Sequence, residues 1–201
     1  MKKNLRISLQ TSQEQKARLH ELQQLFARAC NALAPTVRDS RCWNRVVLHH
    51  MTYKALREQF PALGSQMACN AIYSVCRASR AVYQGAGSPF NLARLGDRPL
   101  PLIRFADNCP VYFDRHTLSV KSGQLSLFTL DGRMRFQLGL CPEDEAAFQQ
   151  GRLREIVLMQ RADSEFELSF WLEPVGVGEV AERAPHSEEW PEYLMVEEKI
   201  A

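Results

Sequence analysis

The period of the apolar residues changes once along this chain, near Leu102, and that change constrains the fold more than any single motif. Before it, apolar residues recur every three or four positions, the repeat of a helix with one buried face. After it, apolar and polar residues alternate, the repeat of a strand with one buried face. A short alternating run, Leu5-Arg-Ile-Ser-Leu9, also opens the chain. The sequence therefore predicts an α+β protein: one strand, three helices, then a strand-rich second half.

The first helix is expected over about residues 12–33, with Leu19, Leu22, Phe26, Ala29, Cys30 and Leu33 as its stripe and Ala34-Pro35 as its stop. The second covers about residues 42–59, with Trp43, Val46, Val47, His50, Tyr53, Ala55 and Leu56 on its stripe. The third runs over about residues 65–83. Ser65 stands where an N-cap belongs, Ala68 and Ala71 give a close-packing face, and Arg77 and Arg80 gather toward the C-terminal end, where cations suit the helix dipole. Gln84 to Pro89 reads as a loop.

Strands are expected near 102–106, 111–114, 117–120, 124–130, 133–138, 153–161 and 165–173, with Asp131-Gly132 as a hairpin turn and a short acidic helix over 141–150. Six or seven short strands with tight turns suggest a small, strongly curved barrel of oligonucleotide-binding type. The first strand would join it, leaving the three helices as an insertion. The domains are then residues 1–10 with 100–174 (barrel), 11–99 (helical insertion) and 175–201 (acidic tail). Trp190, Tyr193, Leu194, Met195 and Ile200 are apolar anchors in that tail. They are expected to dock on the basic half of the chain or on a partner, with the tail dispensable for the barrel.

No apolar run approaches the roughly 18 residues of a membrane span, and MKKNLRISLQ has no apolar core of a secretory signal, so a cytoplasmic protein is expected. The cysteines at 30, 42, 69, 76, 109 and 141 form no CxxC pair and read as free thiols rather than a zinc site or a disulfide framework. No phosphate-binding loop, HExxH, Gly-x-Ser-x-Gly or dinucleotide fingerprint is present, so neither a catalytic set nor a cofactor is expected. Asp107, Asp114 and Asp131 stand in or beside the strands but suit turns and strand ends, and His116 suits a surface position.

The net charge of +2 hides an asymmetry. Residues 1–104 hold 16 Lys and Arg against 5 Asp and Glu, a net of +11, while residues 105–201 hold 9 against 18, a net of −9. Arg outnumbers Lys in the basic half, and its planar fork suits phosphate. A polyanion is the partner such a half suits. The phosphate-binding candidates are Arg6, Arg57, Arg77, Arg80, Arg115, Arg133 and Arg135. Tyr53, Tyr83 and Tyr112 lead the base-stacking candidates, with Tyr73, Phe105 and Phe128 as further aromatics equally suited to a core.

Four phrases in order carry a family resemblance. They are the opening strand with Thr11-Ser-Gln-Glu-Gln15; Phe60-Pro followed by Gly64-Ser-Gln-Met-Ala-Cys-Asn-Ala-Ile72; Val111 to Val120 with Leu125 to Phe136; and Glu155 to Met159 with Phe166 to Glu173. Together, over about residues 4–174, they resemble the N-terminal wedge and recognition regions of the TnpB proteins of insertion sequences and of type V CRISPR effectors. The family's RuvC-like nuclease opens with a Gly-Ile-Asp-x-Gly strand; here Pro174-Val-Gly-Val-Gly178 follows instead. The resemblance implies a non-catalytic protein that binds structured, guide-like RNA and an RNA–DNA duplex with target DNA. It would act as a repressor or complete an effector whose nuclease is a separate chain. The alternative is a protein-interaction module whose RNA surface has been lost.

Overall fold

A computed structural model describes residues 3–174 and 191–197. In chain order the elements are β1 (Lys3–Leu9), α1 (Gln13–Ser40), α2 (Arg45–Gln59), α3 (Ser65–Gln84), α4 (Leu92–Leu95), β2 (Leu102–Phe105), β3 (Val111–Phe113), β4 (Leu118–Lys121), β5 (Gln124–Thr129), β6 (Gly132–Gln137), α5 (Pro142–Gln150), β7 (Gly151–Gln160), β8 (Phe166–Pro174) and β9 (Leu194–Glu197). The chain divides into two compact units, Met1–Gln23 with Pro110–Ala181 and Gln24–Cys109 with Glu182–Ala201. The fold is α+β with antiparallel sheets.

The first unit holds two sheets, one of order β1-β8-β7-β3 and one of order β4-β5-β6. Both are open among the described residues, so the expected barrel is corrected. Alternation fixes which face of a strand is buried, whereas closure needs matched strand number, tilt and stagger, which local pattern does not encode. In β7 and β8 the register sets Ile156 opposite Phe170 and Leu158 opposite Leu168, and all four are buried. Phe148 of α5 meets Phe170 edge-on at 5.0 Å between ring centroids. On the smaller sheet the buried face carries Leu118, Leu125, Leu127, Met134 and Phe136.

In the second unit α1 runs on through Pro35 to Ser40, past the expected stop. A mid-helix proline costs about 3 kcal/mol. Burial of Leu33, Ala34 and Val37 on the same helix offsets it. Arg41, at φ 50°, supplies the left-handed residue that ends the helix. Helix α2 starts at Arg45 rather than near Cys42, because the Asn44 side chain caps it by accepting from the Val46 and Val47 amides. Ser65 is not the N-cap of α3. That position is Gly64, whose φ of 74° favours glycine.

Helix α3 buries twelve residues, Ala68 and Ala71 among them, and is the centre of its unit. Helix α2 buries only Leu48, Thr52 and Leu56. Val46 and Val47, placed on its buried stripe from the sequence, are exposed at 65% and 46%, and Met51 at 50%. Strand β9 pairs antiparallel with β2, so that Leu194 lies opposite Phe105, both buried. Arg104 pairs with Glu197 at 3.2 Å. Leu194 and Met195 thus belong to β9, docked on β2, and the Tyr193 carbonyl accepts from the Ala106 amide, whereas Trp190, Ile200 and residues 175–189 lie outside the described residues. Among the described residues no helix is long and apolar enough to cross a membrane.

Candidate nucleic-acid interface

The three-stranded sheet β4-β5-β6 has two faces of opposite character. With its apolar residues turned inward, strand alternation puts Ser119, Lys121, Gln124, Ser126, Phe128, Arg133, Arg135 and Gln137 on the other face. The register arranges them in rows: Lys121 with Gln124 and Gln137, Ser119 with Ser126 and Arg135, and Phe128 with Arg133. Every charged residue of this face is a cation, in a half of the chain whose net charge is −9. The face brings together two sequence-selected arginines, Arg133 and Arg135, and adds Lys121, which the sequence reading did not single out.

Tight turns hold the strands in this register. The β4–β5 turn has Ser122 at φ 49° and Gly123 at φ 73°, the paired left-handed geometry of a two-residue hairpin. The β5–β6 turn is Leu130-Asp131, one residue before the expected Asp131-Gly132, and Gly132, at φ 119°, opens β6 opposite Thr129. Arg133 is preset: its Nε donates to Ser126 Oγ at 2.8 Å, Nη2 to the Ser126 carbonyl at 2.9 Å, and Nη1 to the His116 carbonyl at 3.4 Å. Arg135 and Lys121 are exposed. Arg115 and His116 are exposed in the turn before β4, with Arg115 Nε 3.5 Å from His116 Nε2.

The carboxylates nearest these strands have structural partners. Asp114 Oδ1 accepts from the amides of His116 and Thr117 and from the Thr117 hydroxyl, which shapes the turn into β4. Asp131 is held by Arg18, at 2.6 Å, and by the Thr129 hydroxyl, and the Arg18 hydrogen bond keeps its carboxyl below the ordinary range. The Glu145 carboxylate borders the face beside Gly123. Asp107 is exposed in the turn after β2. Among the described residues no group of three or more His, Cys, Asp or Glu could hold a metal ion.

The remaining candidates lie elsewhere. Arg6 is exposed on β1, 4.0 Å from Glu167. Arg57 donates to the Pro61 carbonyl at 3.3 Å and closes the end of α2. Arg77 donates to the Tyr73 hydroxyl at 3.3 Å, and Arg80 stands one turn on along α3, half-buried. Two stacking candidates are corrected. Tyr83 is 1% exposed, donates to the Pro101 carbonyl at 2.7 Å and packs against Trp43, and burial pushes its hydroxyl up to about 12. Tyr112 is 7% exposed on β3. Aromatic identity alone does not separate a stacking platform from a core residue.

Tyr53 is half-buried and already stacked, with the His49 ring 4.6 Å away at 19°. Beside it the α2–α3 surface forms an open groove of about 430 Å³ lined by Arg45, Val46, His49, Gln66, Cys69 and Ile72. The Arg45 guanidinium lies over the Tyr73 ring at 5.3 Å. This second cation-and-aromatic surface belongs to the second unit alone. No protein-family model matches the chain, and no curated protein matches it.

Proposed function

We propose that the protein binds RNA without cutting it, as a TnpB-like remnant whose sheets act as the wedge and whose helices act as the recognition region. The observation that carries this reading is the outer face of β4-β5-β6, where Lys121, Arg133 and Arg135 stand on one polar surface with no acid among them. Such a face attracts phosphate through charge and counterion release, a contact that positions nucleic acid without reading its sequence. The placement of α1, α2 and α3 between β1 and β3, two strands of one sheet, supports the reading of an insertion into the strand-rich part. Structured guide-like RNA is the proposed ligand, with target DNA joining as an RNA–DNA duplex and a separate nuclease or effector chain as the protein partner.

Fluorescence anisotropy with a labelled RNA hairpin tests this. The double variant Arg133→Glu/Arg135→Glu is expected to weaken binding at least tenfold while keeping the far-ultraviolet circular dichroism spectrum. Equal binding by the variant would remove this face from the account. In the same buffers with magnesium or manganese, labelled RNA and DNA are expected to stay intact. Cleavage that survives repurification and is lost on mutating Asp107, Asp114 or Asp131 would contradict the non-catalytic reading.

The second reading, a protein-interaction module, is favoured by the exposed Val46, Val47 and Met51 of α2. Clustered exposed apolar side chains mark contact surfaces. Wild-type protein that binds no RNA at low salt would select this reading.

A further inference from the structure

We infer that the outer face of β4-β5-β6 takes an unpaired stretch of nucleic acid, with one base stacked on Phe128 and the neighbouring phosphates on Arg133, Arg135 and Lys121. The inference rests on the RNA-binding reading and narrows it from polyanion to single strand. Phe128 is the one aromatic residue of this face and lies on its solvent side, whereas Leu125, Leu127, Met134 and Phe136 fill the buried side. It is half-buried rather than enclosed. The next row carries Ser119, Ser126 and Arg135, and the Arg133 guanidinium lies on Ser126, so cations border the ring on that side. Arg133 stands directly across from it in the register. Its three hydrogen bonds fix its guanidinium between Ser126, two residues before Phe128, and the His116 carbonyl.

Duplex RNA keeps its bases inside the helix and offers a side chain its phosphates and hydroxyls. A single half-buried aromatic among cations gains little from a duplex. An unpaired base presents a flat apolar face that stacks on such a ring, whatever its identity. Phosphates on the side away from the β5–β6 turn then fall toward Arg133 in the same row and Arg135 and Lys121 in the next two. The combination selects strandedness rather than sequence.

The probes are a fluorescein-labelled 12-nucleotide oligouridylate, the same oligonucleotide carrying one 2-aminopurine, and a 12-base-pair RNA duplex. The full chain is used, with Phe128→Ala, Phe128→Leu and Phe128→Tyr. Removing one stacked base is expected to weaken single-strand binding by about 5- to 100-fold for Phe128→Ala, leaving duplex binding within about twofold. Phe128→Tyr should restore single-strand binding and the 2-aminopurine quench. Phe128→Leu, which keeps apolar bulk without a ring, should not. The Leu variant also separates stacking from folding, since circular dichroism should show it folded if the Ala variant is not. Equal losses on strand and duplex, or no loss with any variant, would overturn the stacking role while RNA binding stands. Wild-type protein that binds neither probe would overturn the RNA reading itself, and this inference with it.

Discussion

Asn31 exchanges two hydrogen bonds with the backbone of Phe105: its amide donates to the carbonyl at 2.9 Å, and its oxygen accepts from the amide at 2.8 Å. It thereby fastens β2 to α1. In Asn31→Ala both backbone groups lose their partner, and we expect a loss of roughly 2–3 kcal/mol, measured as a shift of the urea midpoint at constant m-value. Burial also acts on the thiols. It pushes Cys109 up to about 12 and Cys76 to about 11, and it raises Cys30 as well, from an ordinary value of 9.0. A thiol kept neutral in the fold ionises first in the unfolded chain. Its stabilising contribution is whole below about pH 9 and is lost as the pH rises through 11–12. Stability should therefore fall between about pH 9 and 12, and Cys109→Val should fall less steeply. Parallel slopes for wild type and variant would contradict that assignment.

Single elements carry consequences that a residue list hides. Strand β9 closes on β2 with Leu194 buried, so a chain ending after Pro174 should lose stability in the second unit. A thermal scan should show a lowered or split transition, and an unchanged scan would mean that β9 contributes nothing. In α3, Ala71 is fully buried, and Ala71→Leu should overpack it at roughly 1–3 kcal/mol. The elements themselves were largely legible, because long periodic runs fix helix or strand. Their ends and partners were not. Helix α1 passed Pro35 because the residues beyond it are buried, a tertiary fact invisible to propensity. The α2 stripe failed at Val46 and Val47 for the same reason, since only Leu48, Thr52 and Leu56 meet a core. Strand β9 hid in an acidic stretch, where composition spoke for the tail and masked a four-residue strand.

At the scale of the molecule, the sequence offered a basic half and an acidic half, and the candidate face lies in the acidic one. Net charge over a hundred residues therefore points away from the face proposed here. Alternation within β5 and β6 defines that face, by separating Arg133 and Arg135 from Met134 and Phe136. Tyr83 and Tyr112 failed as stacking candidates because type says nothing of depth. Phe128 stood among the lesser candidates until register set it across from Arg133. The central claim, phosphate binding by this face, has a direct measurement: affinity for a labelled RNA as a function of salt, for wild type and for Arg133→Ala/Arg135→Ala. Each phosphate contact contributes a log–log slope of about −0.7 on single strands and about −0.9 on duplex. We expect a wild-type slope between roughly −2 and −5, shallower by about 1.4 to 1.8 in the double variant. A wild-type slope near zero, or an identical slope in the variant, would contradict the account.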